Sequence, residues 1–327
     1  MLRTAFATPL VLLGLSACAG GPEPRVLAYH APDTTVAPLT RTPTDEGLGV
    51  LLMAHGGSEE WNASVTEAVA SLGEEVPTEI AFGMADPETL QSAVDRLEAR
   101  GVRRIAVVRL FVSGESFLAR TRAVLGLSGE AGAVASDHRG GGHGASSDRP
   151  APIRSSSLFA VDPSGLVDAH ESGDVLRSRA QALSRDPASE SVLLLGHGNG
   201  AEDTNSRLLT AMRARAAVVE DAGFHDVRVE TLREDWEGPR EEAERRIRAW
   251  VRAETDAGRR VIVVPFRLSG FGPYADVLEG LDYVADGLGL LPHPAIPDWI
   301  ARRVVAMTCG HGWEHPAVSC DVRADRP

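Results

Sequence analysis

Two short segments of the sequence place a histidine and glycines directly after an apolar run. Residues 50–57 read VLLMAHGG and residues 192–200 read VLLLGHGNG, so His55 and His197 occupy matched positions. Neutral imidazole binds metal ions and also accepts protons. The alternative is a histidine that caps the next helix or bonds within its own loop. Because the arrangement occurs twice, we favour a ligand-binding role for both histidines.

The segments around the two histidines predict strands and helices in a repeated order. Residues 48–54 and 192–195 are continuous apolar runs, as expected for strands buried on both faces. Residues 61–72 and 205–221 then carry apolar residues at helical spacing. In each half a second strand, a second helix and a third strand follow. The further predicted strands are 78–82, 103–112, 227–232 and 259–268, and the further helices are 86–100, 117–125 and 239–257.

This order of elements is typical of α/β proteins with parallel sheets and right-handed crossovers. We predict two tandem lobes of flavodoxin or Rossmann type, related by duplication. The first lobe is assigned to residues 47–127, and residues 158–308 hold a helix at 166–183 that closes the first lobe, followed by the second lobe. Ligands of such folds bind at the carboxyl ends of the strands, which is where both histidines lie.

Residues 128–157 differ in composition from the rest of the chain. They are rich in glycine, serine and charged residues, and such a segment cannot bury enough apolar surface to order itself. We predict a flexible insertion there. Within it, His138 and His143 are either solvated or loosely bound to metal.

The N-terminus has the pattern of an export signal. Residues 5–15 are apolar but too few to span a bilayer. The residues LSAC, which end at Cys18, resemble the lipobox of bacterial lipoproteins. The resemblance implies a signal peptide at 1–17, lipid on Cys18 and a tether at 18–46, and the alternative is an ordinary secretory signal. Because Ala19 follows the cysteine, we predict a lipoprotein anchored in the outer membrane and facing the periplasm.

The other two cysteines lie in the tail formed by residues 309–327. In an exported protein, Cys309 and Cys320 are expected to form a disulfide. The alternative is a metal site that adds His311 and His315, although the spacing matches no known zinc motif.

Several motifs, in order along the chain, resemble one known family. They read LLMAHGGSEEWN, FGMADPETLQSAVDRLEARGVRRIAVVRLFVSGES, LLLGHGNGAEDTN, VVPFRLSGFGPYADVLEGLDY and GLLPHPAIPDWI. Together they span residues 47–305 and resemble the class II tetrapyrrole chelatases, the CbiX- and SirB-type sirohydrochlorin chelatases related to ferrochelatase. The resemblance implies a chelatase-like α/β fold with two lobes around a cleft. It also implies insertion of a divalent metal substrate (Co²⁺, Fe²⁺ or Ni²⁺) into a tetrapyrrole, with no nucleotide.

The resemblance further implies which residues form the site. Metal insertion removes two pyrrole protons, so a base and a ligand must face the ring. In the family these are the histidine after the first strand, here His55, and a residue after the third strand, where Glu115 stands. We predict both as catalytic residues and metal ligands, and the alternative for Glu115 is an acid that stabilises its helix. His197 is predicted as a further metal ligand, but residues 265–277 offer it no acidic partner, so we expect one working site, in the first lobe, or none.

Three further residues are predicted to contact the ligand: Asn62, Arg109 and Arg267. A guanidinium pairs well with the carboxylates that surround sirohydrochlorin-like rings. The alternatives are surface positions for the two arginines and, for Asn62 and the matching Asn205, hydrogen bonds that brace the turn.

Other classes of function lack a required feature. The formal net charge of −13 disfavours nucleic acid as a partner, because phosphate binding needs clustered cations. An α/β-hydrolase needs a G-x-S-x-G motif, which the sequence does not contain. A histidine phosphatase has arginine before its histidine, where Ala54 and Gly196 stand here. The remaining alternative is a non-catalytic metal- or tetrapyrrole-binding lipoprotein on the same fold, and the metal, the binding lobe and the oligomeric state stay open.

Overall fold

The computed structural model describes three ranges of the chain. The predicted signal peptide, the lipid on Cys18 and the tether lie outside them, as do His138 and His143. None of the helices within these ranges is long and apolar enough to cross a membrane. The described residues are 47–127, 150–313 and 315–320.

Seven strands of the described residues form two parallel sheets. They are β1 (Gly47–Ala54), β2 (Thr78–Phe82), β3 (Val102–Leu110), β4 (Leu158–Val161), β5 (Glu190–Gly196), β6 (Asp226–Thr231) and β7 (Arg260–Phe266). The first sheet has the order β2-β1-β3-β4 and the second the order β6-β5-β7, and every pairing is parallel. This confirms the predicted α/β class with parallel sheets. The shared order around β1 and β5 agrees with a duplication, which stays a prediction.

Nine α-helices of the described residues connect and cover the strands. They are α1 (Glu59–Ala68), α2 (Ala70–Glu75), α3 (Pro87–Ala99), α4 (Leu118–Val124), α5 (His170–Leu183), α6 (Glu202–Glu220), α7 (Glu237–Asp256), α8 (Tyr274–Val277) and α9 (Ala295–Gly310). Sequence signals set the start of α3. The Asp86 side chain accepts hydrogen bonds from the backbone N–H groups of Glu88 and Thr89, each at 3.0 Å, and Pro87 takes the first helical position.

One apolar cluster runs from the first sheet to the second. It includes Leu52 of β1 and Leu194 of β5, both fully buried, and Trp299 of α9, which is 2% exposed. Burying an apolar side chain of this size stabilises the fold by roughly 1.5–3 kcal/mol. The two sheets therefore share a core rather than forming independent bodies.

Two helices are exchanged relative to the predicted division of the chain. Helix α5 packs mainly on α6, and to a smaller and equal extent on β7 and α9, whereas the C-terminal helix α9 packs on β3 and β4 of the first sheet. The prediction that the helix at 166–183 closes the first lobe is therefore wrong. Its buried face, with Val175, Leu176 and Ala180 fully buried, marks an amphipathic helix but carries no information on which sheet it covers.

Strand β4 was not predicted from the sequence. It adds an edge strand to the first sheet, so the predicted boundary at residue 158 falls inside the first lobe. The strand is only four residues long and its first residue, Leu158, is 60% exposed. Such a short, half-exposed strand gives little periodicity to read.

An ion pair holds α9 on the first sheet, and a disulfide joins the end of α9 to the C-terminal tail. Nε and Nη2 of Arg303 donate to Oδ2 and Oδ1 of Asp162, each at 2.8 Å, and Asp162 is fully buried just after β4. At the end of α9, Cys309 forms a disulfide with Cys320, with the Cα atoms 5.5 Å apart. The predicted disulfide is confirmed, and the alternative of a metal site on these two cysteines is wrong.

Candidate functional site

Both predicted histidines stand at the carboxyl ends of central strands. His55 follows β1 and is exposed, and His197 follows β5 and is partly exposed. In each, Nδ1 lies next to the carbonyl oxygen of the following glycine, at 2.8 Å from Gly56 and 3.0 Å from Gly198. A carbonyl only accepts hydrogen bonds, so Nδ1 carries the hydrogen, and in neutral imidazole the lone pair is on Nε2. Each ring therefore offers Nε2 as a ligand or base.

The turn after β5 packs tightly against the loop after β6. Gly198 has φ +89°, and a Cβ there would lie 2.9 Å from both the backbone nitrogen of Arg233 and Cβ of Thr231. The backbone N–H of Arg233 donates to the carbonyl of His197 at 2.6 Å, and Arg233 itself has φ +59°, a strained value for a residue with a side chain. The two loops are thus fixed to each other at the ring of His197.

This packing brings two acids to the His197 ring. Nε2 lies 3.2 Å from Oδ2 of Asp235 and 3.9 Å from Oε2 of Glu234. Carboxylate oxygens and a ring nitrogen are both metal ligands, so this arrangement places three potential donor groups on one side of the ring. The prediction that His197 lacks an acidic partner is wrong, because it considered only residues 265–277, after β7. The acids instead follow β6, which neighbours β5 and ends at the same edge of the sheet.

Arg267 lies beside this cluster. Its guanidinium bonds to Glu234 and lies 5.7 Å from the ring centre of Tyr274, a cation–π contact. The Tyr274 side chain is fully buried, and this burial raises the pKa of its hydroxyl. The Arg267 side chain is 26% exposed, and its predicted contact with ligand carboxylates stays a prediction.

The first lobe has a different arrangement of acids. The loop after β2 carries Met84, 44% exposed, and Ala85, and its acid, Asp86, accepts hydrogen bonds from the backbone at the start of α3. Glu115 lies in the loop after β3, before α4, so it is not in the first turn of a helix. Its carboxylate contacts Arg207 of α6, with Nε–Oε1 at 3.3 Å and Nη2–Oε2 at 3.2 Å. Among the described residues, no hydrogen bond or ion pair joins Glu115 to His55.

Arg109 does not face a ligand, which corrects the sequence-based prediction. Its side chain is fully buried, and its guanidinium donates to the carbonyls of Gly114, Ser116 and Asp162. Burial lowers its pKa to about 10, so it stays charged at neutral pH. The residue is buried because it satisfies the carbonyls of the loop that carries Glu115, a role that charge alone does not reveal in a sequence.

The two matched asparagines bond within their turns. Oδ1 of Asn62 accepts from the N–H of Gly57 at 3.0 Å, and Nδ2 donates to the carbonyl of the same glycine at 3.4 Å. Oδ1 of Asn205 accepts from the N–H of Asn199 and from the hydroxyl of Thr231, each at 3.0 Å. The structure thus uses both side chains to brace the turns, and a ligand contact of Asn62 stays a prediction.

Within the described ranges, no group of three or more His, Cys, Asp or Glu side chains is arranged to hold a metal ion. The structure therefore offers an exposed imidazole in the first lobe and an imidazole with acids in the second. It also places Glu115 and Arg207 in contact between the lobes.

Residues 49–119 match the CbiX family model. The fold is similar to that of SirB from Bacillus subtilis with Fe³⁺, with a TM-score of 0.57 and 14% identity over 81% of this chain and 98% of that one. It is also similar to the sirohydrochlorin chelatase SirB from Bacillus subtilis subspecies spizizenii in complex with cobalt, with a TM-score of 0.51 and 14% identity over 81% and 97% of the two chains. No curated protein is significantly similar to the sequence. The first lobe is therefore similar to the CbiX family over residues 49–119, and the fold is similar to that of the SirB chelatase structures, as the resemblance of the motifs predicts.

Proposed function

We propose that the protein inserts a divalent metal into a sirohydrochlorin-type tetrapyrrole. The observation that supports this best is the geometry of His55. Its exposed ring is held through Nδ1 at the end of β1, so Nε2 faces outward with its lone pair. The similar SirB structures contain Fe³⁺ and cobalt, and one of them is described as a sirohydrochlorin chelatase.

The chemistry needs few groups. Two pyrrole N–H protons must leave the macrocycle as a divalent cation loses water and enters it, which leaves the net charge of the ring–metal product equal to that of the free ring. His55 Nε2 accepts one proton or holds the metal as it enters. Glu115, in the loop after β3, is the second acceptor once its carboxylate is free.

His197 has a supporting role in this proposal. Its Nε2 is a nitrogen ligand of the kind that Co²⁺, Fe²⁺ and Ni²⁺ accept, and the carboxylates of Asp235 and Glu234 add negative charge beside it without completing a three-ligand site among the described residues. We assign it as a secondary metal ligand and not as the base, because its Nε2 already faces acids.

The test is metal insertion followed by absorbance. Purified protein is mixed with sirohydrochlorin and Co²⁺, and the change from the free-base to the metal spectrum is timed. H55A should lose at least about a hundredfold of the rate, the usual effect of removing a general base. The matched control is H225A, because His225 is exposed beside β6 at the opposite, amino edge of the second sheet.

Two outcomes decide against this function. An uncatalysed rate with wild-type protein rejects the chelatase, and a spectral shift on mixing without turnover supports the non-catalytic binding alternative instead. A rate in H55A equal to that of H225A rejects the role of His55 alone.

We also propose that the protein is a lipoprotein anchored through Cys18 and exported. The support is the lipobox-like LSAC segment after a short apolar run. Mass spectrometry of the membrane fraction should find a diacylated Cys18, and C18S should move the protein out of that fraction. An unmodified Cys18 in the mature protein contradicts the proposal.

A further inference from the structure

An ion pair joins the two lobes near the carboxyl ends of β3 and β5. Glu115 follows β3 of the first sheet, and Arg207 lies in the second turn of α6, which follows β5 of the second sheet. Their side chains make two contacts, at 3.3 Å and 3.2 Å, across 92 residues of sequence. The pair therefore spans the two edges at which the histidines are presented.

Arg207 is held by its own helix as well as by Glu115. Nη1 lies 3.2 Å from Oδ2 of Asp203, and Nη2 lies 3.1 Å from the hydroxyl of Thr204. Thr204 is 9% exposed, so this part of the helix is well anchored. The guanidinium keeps these two partners if Glu115 moves away.

The pair is in water and weak. The side chains of Arg207 and Glu115 are 55% and 59% exposed. Exposed ion pairs contribute little to stability, because both groups are well solvated when apart. Another carboxylate can therefore replace Glu115 on the guanidinium at little energetic cost.

The two arginines that the sequence predicts as carboxylate ligands are less suited than Arg207 to bind a carboxylate of the substrate. Arg109 is fully buried. Arg267 is bound to Glu234, whose side chain is 10% exposed, and a ligand would have to break that shielded pair. Arg207 is the more exposed guanidinium of the three and it adjoins the candidate acid.

We propose that Arg207 binds a peripheral carboxylate of the tetrapyrrole and that this carboxylate replaces Glu115. Substrate binding then frees the Glu115 carboxylate to accept a pyrrole proton or to bind the entering metal. Arg207 is thus a substrate-binding residue that also controls when Glu115 becomes available, and this inference rests on the proposed chelatase function.

The substitutions R207A and E115Q should change the affinity for metal-free sirohydrochlorin in opposite directions. R207A should weaken binding of metal-free sirohydrochlorin by about tenfold, the effect of losing one charge-assisted contact, and R207K should lie between. E115Q should tighten binding several-fold, since the guanidinium loses its competing charged partner, while Co²⁺ insertion slows. The control is R213A, on an exposed position of the same helix, which should match wild type.

Titration by absorbance, with sirohydrochlorin and with its methyl ester, separates the possible explanations. The ester has no free carboxylate, so wild type and R207A should bind it equally. R207A that binds the acid as tightly as wild type, or E115Q that binds it more weakly, overturns the inference while the chelatase function stands. Wild-type protein that binds no sirohydrochlorin overturns both. Because both side chains are exposed, thermal melting of R207A and E115Q should match wild type and exclude a folding defect.

Discussion

The buried ion pair between Asp162 and Arg303 gives a direct test of the helix exchange. This ion pair joins Asp162, directly after β4, to the C-terminal helix α9 through two contacts of 2.8 Å. We consider the substitution D162N, which keeps the size of the side chain and removes its charge. Asp162 also lies close enough to Arg109 to raise the pKa of that guanidinium against the larger, opposite effect of burial. Neutralising Asp162 therefore leaves two guanidinium groups without their shared countercharge.

The magnitude follows from burial. Two unit charges about 4 Å apart at an effective dielectric constant of about 20 attract by about 4 kcal/mol. Removing one partner of a buried pair typically costs about 3–5 kcal/mol, which is in the same range. Arg303 is 27% exposed and turns partly to water, whereas Arg109 is 0% exposed and cannot. We expect D162N to lower the free energy of unfolding by about 3–5 kcal/mol.

Urea unfolding, followed by circular dichroism, measures this loss. The matched control is D174N, because Asp174 pairs with Arg177 at 3.0 Å on the surface, with both side chains more than two fifths exposed. That control should lose less than about 1 kcal/mol. The double variant D162N/R303M should lose less than the sum of its single variants, because each alone strands a buried charge. A loss in D162N no larger than in D174N would refute the reasoning.

Three further predictions concern the turns, the disulfide and the partly buried His293. G198A should lose more stability than G223A in the same urea assay, because both glycines have φ near +85° to +90° but only a Cβ at 198 meets backbone at 2.9 Å, and equal losses would contradict this. The disulfide joins residues 11 positions apart, and its reduction should lower the free energy of unfolding by about 3 kcal/mol. The variant C309S cannot form this disulfide, so reductant should not change its stability. Burial and the nearby Arg179 lower the pKa of His293, so the unfolded chain binds the proton more readily. Stability from this group is present above its ordinary pKa of about 6.5 and falls as the pH drops below it, so the urea midpoint should fall less steeply with acidification in H293Q than in wild type.

The sequence predicts the central strands well because their signal is local. A strand buried on both faces is apolar along most of its length, so β1, β5 and β7 are visible as apolar runs. The start of α3 is equally local, since Asp86 and Pro87 act within one turn. The exchange of α5 and α9 could not be read in this way. Both helices have an apolar face, and which sheet each face covers depends on contacts between residues far apart in the sequence, such as Arg303 and Asp162, which are 141 positions apart.

The site residues likewise divide into those with a local sequence signal and those that depend on contacts distant in the sequence. His55 and His197 are predictable because the strand, the glycine turn and the imidazole are adjacent in sequence. Asp235 is not, because it reaches His197 from the loop of a neighbouring strand. A parallel sheet does place the loops after β5 and β6 at one edge, so a search of both loops would have found it. The prediction for Arg109 is wrong for another reason. A charged residue is rarely fully buried, and nothing in the neighbouring sequence marks Arg109 as an exception.

The repeated imidazole therefore does not make two equal sites. In the second lobe, acids that follow β6 already face Nε2 of His197, and the tight packing at Gly198 fixes them there. In the first lobe, the candidate acid follows β3 and is bound to Arg207 of the other lobe, so His55 Nε2 is left open. A ring that must lose protons needs an unoccupied base, whereas a cation before insertion needs negative charge around a nitrogen ligand. Under the proposed chelatase function, the two lobes serve these two different needs, and a ring carboxylate that replaces Glu115 on Arg207 frees the acid of the first lobe.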